Sequence, residues 1–244
     1  MKFIIKKILG YFGLRIVKIS KNQNLTDVLN FLFNKLQIKT ILDIGANEGQ
    51  FIKKIRQNGY KEKVISFEPL KDVFNVLKKN SSSDLNWKCE NIAIGNKDGE
   101  IMINESNYSL SSSILPISKE HLQAKENSNY INRHKVVIKK LDTYIKENDL
   151  IDDNIFLKID TQGTEFDVLT GVDLNLNKIR GIICELTLTE LYVGQKLWVE
   201  TIKYLEKKNF EIWFLEKGFQ NNKNKKILQI DSVFINQNYK KILN

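Results

Sequence analysis

The chain has 244 residues, of which 42% are hydrophobic, with 12 Gly, 2 Pro and 2 Cys. This composition excludes a collagen-like, low-complexity or disulfide-rich protein, and no apolar stretch is long enough to predict a membrane-spanning helix. The net charge of +9 is concentrated at the two ends, because residues 1–21 carry six basic side chains and no acidic one, and residues 217–244 carry six Lys and one Asp. The rest is slightly acidic, so we expect no nucleic-acid partner.

The first predicted element is a basic amphipathic helix. Five apolar residues recur at spacings of four and three, which places them on one face: Ile5, Leu9, Phe12, Ile16 and Ile19. Residues 1–37 are therefore predicted to form a helical extension. Two interpretations remain open: packing on the domain, or peripheral contact of residues 1–21 with the inner face of a membrane. The pattern is not that of a secretory signal, so the predicted location is cytoplasmic.

From residue 25 onward, segments with helical periodicity alternate with short apolar runs. Helices are predicted at 25–36, 47–58, 70–79, 142–149, 164–170 and 196–208. Strands are predicted at 40–44, 63–67, 88–94, 99–104, 135–140, 155–159, 179–186, 210–215 and 229–235. Residues 105–132 are polar and rich in Ser and Asn, and we expect a long loop there that covers the functional site.

This alternation is typical of βαβ units and predicts an α/β fold, with a mostly parallel sheet covered by helices on both faces. The last two predicted strands have no helix between them, so we expect a C-terminal antiparallel hairpin. The predicted domain spans residues 38–236, and residues 237–244 form a short basic tail.

The first strand ends in Asp43-Ile-Gly-Ala-Asn-Glu-Gly49 and leads directly into a helix. Two glycines allow the backbone to approach a ligand closely at the start of that helix. The spacing is neither G-x-G-x-x-G nor a P-loop, which disfavours dinucleotides and nucleoside triphosphates. An acidic residue, Asp43, also disfavours phosphate, and it favours a ligand that is cationic or rich in hydrogen-bond donors.

Glu68 ends the second strand, where a carboxylate can accept both hydroxyls of a ribose. Together, Asp43 and Glu68 suggest a ribose-bearing ligand without phosphates, and S-adenosylmethionine, with its sulfonium cation, fits this description. The alternative is that both acids only cap the helices that follow them.

Six segments of the chain together resemble the FkbM family of S-adenosylmethionine-dependent methyltransferases, over about residues 38–236. The segments are Asp43-Ile-Gly-Ala-Asn-Glu-Gly-Gln-Phe51, Ser66-Phe-Glu-Pro69, Asn91-Ile-Ala-Ile-Gly95, Ser111-Ser-Ser-Ile-Leu115, Leu157-Lys-Ile-Asp-Thr-Gln-Gly-Thr-Glu165 and Tyr192-Val-Gly-Gln195. The resemblance implies the Rossmann-like three-layer sandwich of class I methyltransferases. It also implies O-methylation, often of sugar or secondary-metabolite hydroxyls.

The resemblance places cofactor-binding residues at the ends of successive strands. The first loop would hold the methionine portion, the second strand the ribose, the third strand the adenine, and the fourth strand would face the methyl group. In that order the residues are Asp43, Gly45, Asn47 and Gly49; Glu68; Asn91 and Ala93; and Asp160. Thr164 departs from the larger side chain expected there, which affects the acceptor pocket rather than the cofactor site.

An alcohol acceptor must lose its proton as it attacks, which requires a general base. We favour Asp160, with Glu165 and Glu185 as further candidates, and Gln162 is expected to orient a sugar hydroxyl. The predicted catalytic set is therefore Asp160, Gln162 and Glu165. Asp160 could also cap the helix that follows it.

His121 is another candidate base, because imidazole is the commonest one. No spacing of His, Cys or acidic residues predicts a metal site. The sequence thus predicts an S-adenosylmethionine-dependent O-methyltransferase acting on a small molecule or saccharide, and we expect the acceptor to be a surface glycan or lipid-linked sugar. Alternatives are a secondary-metabolite O-methyltransferase and, with less support, a nucleotide-dependent oxidoreductase.

Overall fold

The computed structural model describes residues 24–150 and 154–243, so the amphipathic helix predicted within residues 1–21 lies outside the described residues. The helices are α1 (Leu25–Lys35), α2 (Gln50–Gln57), α3 (Lys71–Ser81), α4 (Lys119–Ala124), α5 (Leu141–Glu147), α6 (Glu165–Gly171) and α7 (Trp198–Lys207). Short 3₁₀ helices span Ser109–Ser111, Leu176–Lys178 and Gln237–Ile242. In the two described ranges, no helix is long and apolar enough to cross a membrane.

The strands are β1 (Thr40–Ile44), β2 (Lys63–Phe67), β3 (Trp87–Glu90), β4 (Ala93–Gly95), β5 (Gly99–Ser106), β6 (Tyr130–Lys140), β7 (Ile155–Ile159), β8 (Gly181–Thr187), β9 (Phe210–Lys217) and β10 (Gln229–Asn236). Seven of them form the main sheet in the order β3-β2-β1-β7-β8-β10-β9. The first five of these are parallel, and β10 runs antiparallel to both β8 and β9. The predicted parallel sheet with a C-terminal antiparallel hairpin is confirmed.

Helices cover both faces of this sheet and give a three-layer sandwich. Helices α1, α2 and α3 pack on one face, with Leu32, Ile52 and Leu77 in their core cluster. Helices α5, α6 and α7 pack on the other, with Leu141 and Leu169 in theirs. Because both faces are covered, β1 and β7 are buried along their whole length and are mostly apolar, which is why they read as short apolar runs.

A second, three-stranded sheet was not predicted. Its order is β4-β6-β5, with β4 parallel and β5 antiparallel to the long central strand β6. The strand predicted at 88–94 is therefore split: residues 87–90 belong to the main sheet and residues 93–95 to the small one. The break occurs because β4 pairs with residues 138–140, a distant partner that local periodicity does not reveal.

The polar segment 105–132 is more structured than expected, because β5 and β6 extend into it and it contains one 3₁₀ helix and α4. Helix α2 begins at Gln50 rather than at residue 47, since Asn47 and Gly49 have the positive φ angles of a left-handed turn. Helix α1 packs directly on the main core, and the backbone N–H of Leu25 donates to Glu216 on β9.

Candidate active site

A cleft of about 300 Å³ opens at the carboxyl ends of β1, β2 and β7. This is the edge at which parallel α/β sheets bind their ligands. Its lining includes seven of the residues that the sequence singles out: Gly45, Asn47, Glu68, Ala93, Asp160, Gln162 and Glu185. Four other predicted residues, Asp43, Gly49, Asn91 and Glu165, do not line it.

The loop after β1 is held close to the neighbouring strands. The N–H groups of Gly45 and Ala46 both donate to the carbonyl oxygen of Phe67, at 3.1 and 3.0 Å. Gly45 has a φ of +71°, and a Cβ at this position would lie 1.9 Å from the carbonyl oxygen of Asp160. Only glycine fits here, because both the conformation and the backbone approach exclude a side chain.

Glu68 follows β2 and is buried beside this loop. Its Oε2 accepts from the N–H of Asn47 at 3.0 Å, and its Oε1 accepts from the N–H of Leu70 at 2.9 Å. Burial raises the pKa of Glu68 to about 7, although the two backbone donors oppose the shift. Asn91 stabilises this turn, because its side-chain amide donates to the carbonyl oxygens of Glu68 and Pro69.

Asp43 does not point into the cleft, contrary to the expectation of a direct ligand contact. Its side chain is fully buried, its Oδ2 accepts from the hydroxyl of Ser66 at 2.8 Å, and its Oδ1 lies 3.1 Å from Nζ of Lys158. The indole of Trp87 donates to the same Ser66 hydroxyl. Gly49 also has a packing role, since a Cβ there would lie 2.6 Å from the Trp87 ring.

Lys158 is the residue that sequence reasoning missed most clearly. Besides pairing with Asp43, its Nζ donates to the carbonyl oxygen of Gly45 at 2.7 Å and lies 3.7 Å from Oδ2 of Asp160. Burial lowers the pKa of Lys158, but the carboxylates of Asp43 and Asp160 outweigh this and hold the pKa above its usual value. The available signal was a lysine in the middle of an otherwise apolar buried strand.

Gln162 joins two carboxylates at the edge of the cleft. The hydroxyl of Tyr192 donates to its Oε1 at 2.9 Å, which leaves its Nε2 to donate to Asp160 at 2.6 Å and to Glu185 at 3.4 Å. Asp160 thus has a hydrogen-bond partner within its own loop. Helix α6 has Thr164 at its N-cap, so Asp160 does not cap it.

Two further acids stand on β8 and β10, where Glu185 and Asp231 are directly opposite each other. Both line the cleft. Burial raises the pKa of Glu185 well above its usual range, with Asp160 as the next contributor, and burial likewise raises the pKa of Asp231 to about 6. Asp231 was not predicted, because only the strand pairing brings it to this edge.

Glu165 is buried and turned toward its own loop. Its carboxylate accepts from the N–H of Thr161 at 2.8 Å and from the N–H of Gly163 at 3.1 Å. Burial raises its pKa, and these backbone donors oppose the shift. Its position supports a role in shaping the loop that carries Asp160 and Gln162, rather than contact with a reacting group.

A second pocket, of about 540 Å³, adjoins the cleft. The two share Leu110, Asp160, Gln162 and Glu185. Polar and aromatic side chains from the 3₁₀ helix, α4 and the β9–β10 turn line the rest: Tyr108, Ser111, His121, Lys125, Lys217, Phe219, Gln220, Asn222 and Gln229. We call it the acceptor pocket and the first one the cofactor cleft.

His121, the alternative base, lies on the wall of the acceptor pocket and is buried. Its Nε2 is 3.1 Å from the hydroxyl of Ser111, and burial lowers its pKa to about 4. The imidazole is therefore neutral near pH 7. Among the described residues, no group of three or more His, Cys, Asp or Glu is arranged to hold a metal ion.

The strand order, with one antiparallel strand inserted next to the edge, and a cleft at the carboxyl ends of β1 and β2 are those of the class I methyltransferase fold. The methyltransferase FkbM domain matches residues 43–212, and the chain belongs to that family. It is a methyltransferase whose methyl donor is S-adenosylmethionine.

Similar proteins include the 2-O-methyltransferase NoeI of Sinorhizobium fredii (strain NBRC 101917 / NGR234), 30% identical over 162 residues. That match covers 64% of this chain and 66% of NoeI, just under two thirds of the relative. Solved structures include an rRNA methylase from Streptococcus thermophilus (TM-score 0.47, 10% identity, 89% of this chain and 99% of that one). Another is the ribosomal protein L11 methylase from Lactobacillus delbrueckii subsp. bulgaricus (TM-score 0.44, 10% identity, 91% and 90%).

The cofactor cleft has the chemistry that S-adenosylmethionine requires. Glu68 presents a carboxylate for hydroxyl donors, and apolar residues, including Leu70, Ile92 and Ala93, offer a surface for a flat base. The carboxylate of Asp160 lies on the same lining and complements a positively charged sulfonium.

Proposed function

We propose that this methyltransferase transfers the methyl group to a hydroxyl of a saccharide, in a surface glycan or a lipid-linked sugar. The observation that carries the proposal is the junction of the two pockets. The cofactor cleft and the acceptor pocket meet at Asp160, Gln162 and Glu185, so a methyl donor in one and a hydroxyl in the other would face each other there.

In this proposal Glu68 accepts the ribose hydroxyls, and the loop of Gly45 and Asn47 contacts the methionine portion. Ala93 lies against the adenine. The three other predicted cofactor residues act indirectly. Asp43 pairs with Lys158, Gly49 packs against Trp87, and Asn91 holds the turn at Glu68. The cofactor residues expected from the sequence thus divide into those that touch the ligand and those that shape its cleft.

The bound cofactor supplies an electrophilic methyl group on a sulfonium. The chain holds the acceptor hydroxyl in line with that methyl, and alignment is a major source of rate acceleration. Asp160 would take the hydroxyl proton as the acceptor oxygen bonds to the methyl carbon and the carbon–sulfur bond breaks, which leaves S-adenosylhomocysteine. Lys158 and Gln162 fix the orientation of the Asp160 carboxylate through contacts at 3.7 and 2.6 Å. Glu165 holds the loop that carries Asp160 and Gln162.

A saccharide is favoured over other alcohols by the chemistry of the acceptor pocket. Amides, hydroxyls and carboxylates line it together with the rings of Tyr108 and Phe219. Aromatic faces beside many hydrogen-bonding groups suit a sugar ring, which presents C–H faces and hydroxyl edges. The name of NoeI, a 2-O-methyltransferase, supports oxygen as the atom that is methylated.

The test is mass spectrometry of surface glycans from a strain that lacks the gene. We expect a sugar residue to lose the mass of one CH₂ group, and the wild-type gene, but not an Asp160→Asn variant, to restore it. Unchanged glycans would contradict the saccharide proposal. Loss of a methyl group from a small secreted metabolite instead would assign the enzyme to secondary-metabolite hydroxyls.

We further propose, from the sequence of residues 1–21 alone, that the enzyme works at the inner face of a membrane. The basic residues there favour anionic lipid. The full chain should sediment with phosphatidylglycerol vesicles and not with phosphatidylcholine vesicles. Equal sedimentation with both, or with neither, would contradict the membrane contact.

A further inference from the structure

The acceptor pocket contains two lysines whose charges are not neutralised. Lys125 follows α4, and its Nζ lies 4.0 Å from the centre of the Tyr108 ring. Lys217 ends β9, and its Nζ donates to Oε1 of Gln220 at 3.0 Å. Among residues 24–150 and 154–243, neither lysine has a carboxylate within ion-pair distance. Since each ammonium has three N–H donors, both retain donors for a ligand.

Two neighbouring lysines, in contrast, form ion pairs with acidic side chains. Lys223 and Lys226, on the turn between β9 and β10, pair with Glu126 and Glu120 at 2.9 and 3.4 Å. These two ion pairs connect the turn to α4 and the residues after it. Neither of these lysines lines the acceptor pocket. Lys119 and Lys225, on the same two segments, have no ion pair among the described residues and also lie outside the pocket. Lys125 and Lys217 are therefore the lysines of this region that line the pocket, and neither is neutralised by a carboxylate there.

The charges of the acceptor pocket are also separated in space. Asp160 and Glu185 lie where it joins the cofactor cleft, whereas Lys125 and Lys217 line the acceptor pocket only. An anionic group next to the Asp160 carboxylate would be repelled, and one beside the two lysines would be attracted. A substrate with an anion at one end and a hydroxyl at the other would thus be oriented with its hydroxyl toward the methyl group.

We propose that the acceptor is an acidic saccharide, in which a carboxylate or phosphate on the same molecule as the methylated hydroxyl binds Lys125 and Lys217. This inference rests on the proposed function and specifies its substrate class. It also assigns the two lysines as specificity-determining residues that do not contact the reacting atoms.

Binding of matched probe pairs to the full chain, with excess S-adenosylhomocysteine, tests the inference. Methyl β-D-glucuronide and methyl β-D-glucoside differ only in the carboxylate, and glucose 1-phosphate and glucose differ only in the phosphate. We expect at least one acidic probe to bind about tenfold more tightly than its neutral partner, the effect of one charge-assisted hydrogen bond. Which pair shows the preference distinguishes carboxylate from phosphate.

The variants Lys125→Gln and Lys217→Gln should each reduce the preference, and the double variant should remove it while neutral-probe binding stays the same. Lys223→Gln is the matched control, because Lys223 lies on the turn that follows β9 but outside the pocket, and it should keep the preference. The inference is overturned if no acidic probe binds better than its neutral partner, or if the preference survives in the double variant. If glycans of the deletion strain lose a methyl group and no probe preference exists, only the acidic acceptor is wrong; unchanged glycans would instead reject the saccharide proposal itself.

Discussion

The cofactor cleft and the acceptor pocket are built in different ways. The cleft is formed by short loops that directly follow strands, and backbone groups hold them: Gly45 and Ala46 on Phe67, and Asn47 on Glu68. The acceptor pocket is formed by side chains from segments far apart in the chain, and much of its polar surface is open to solvent. Changes in the cleft should therefore affect folding and cofactor binding together, whereas changes in the acceptor pocket should leave cofactor binding unchanged and cost little stability.

The largest effect is expected for Lys158→Met, which leaves Asp43 charged and buried without its ion-pair partner. The free energy of unfolding should fall by about 4 kcal/mol, measured by urea denaturation. Adding Asp43→Asn should restore part of this loss, because the orphaned charge is then gone. Lys135→Met, which breaks an exposed pair with Glu100, is the control and should change little. Equal effects of Lys135→Met and Lys158→Met would contradict the buried pair.

The next effect is expected for Gly45→Ala. The new Cβ would meet the Asp160 carbonyl oxygen at 1.9 Å, so the two loops must separate. We expect a loss of about 3 kcal/mol in unfolding free energy and much weaker binding of S-adenosylmethionine by calorimetry. Gly59→Ala is the matched control, because Gly59 also has a positive φ but has nothing within 4 Å of the added Cβ. Similar losses in the two variants would show that the close approach is unimportant.

Glu68 should make cofactor binding depend on pH. Its pKa is about 7 in the free protein, and ribose hydroxyls donate best to the ionised form, so protonation competes with binding. The affinity for S-adenosylmethionine should fall by about tenfold for each pH unit below about 7 and level off above it. Calorimetry across this range should show the same slope for Glu48→Gln, an exposed neighbour, and no slope for Glu68→Gln. A slope that persists in Glu68→Gln would mean that another group titrates.

The smallest effect is expected on the acceptor side, for Tyr192→Phe. The lost hydroxyl no longer donates to Gln162, which frees that amide to rotate between Asp160 and Glu185. The unfolding free energy should fall by about 1 kcal/mol, and the affinity for S-adenosylmethionine should not change. If cofactor affinity falls as steeply as in Gly45→Ala, the two regions are not separable.

The parts of the site that local sequence could predict are those made by consecutive residues. The loop from Gly45 to Gly49 and the carboxylate after β2 follow from strand ends and turn chemistry. The other residues of the site are brought together by pairing between strands that are far apart in the sequence. Lys158 meets Asp43 because β1 and β7 are neighbours in register, and Asp231 reaches the site because it stands opposite Glu185.

Glu165 differs from Lys158 and Asp231, because the sequence did single it out. It was predicted as a catalytic residue, whereas its carboxylate binds the backbone of its own loop. Glu165 is the first residue of α6, in the loop-to-helix segment that follows β7. The positive φ angles of Gln162 and Gly163 turn the loop so that the Glu165 carboxylate meets backbone N–H groups instead of the cleft. No pattern in the side chains alone distinguishes these two outcomes.

The reversed direction of β10 has a consequence for how such an enzyme can diverge. Because β10 runs against its neighbours, its first residues, rather than its last, stand at the edge where the parallel strands end. The hairpin bend before it, residues 218–228, therefore lines the acceptor pocket, with Gly218, Phe219, Gln220 and Asn222 in its wall. Insertions or deletions in this bend would change the shape of the acceptor pocket without altering any strand of the main sheet. The enzyme could therefore accept new substrates with little loss of folding stability.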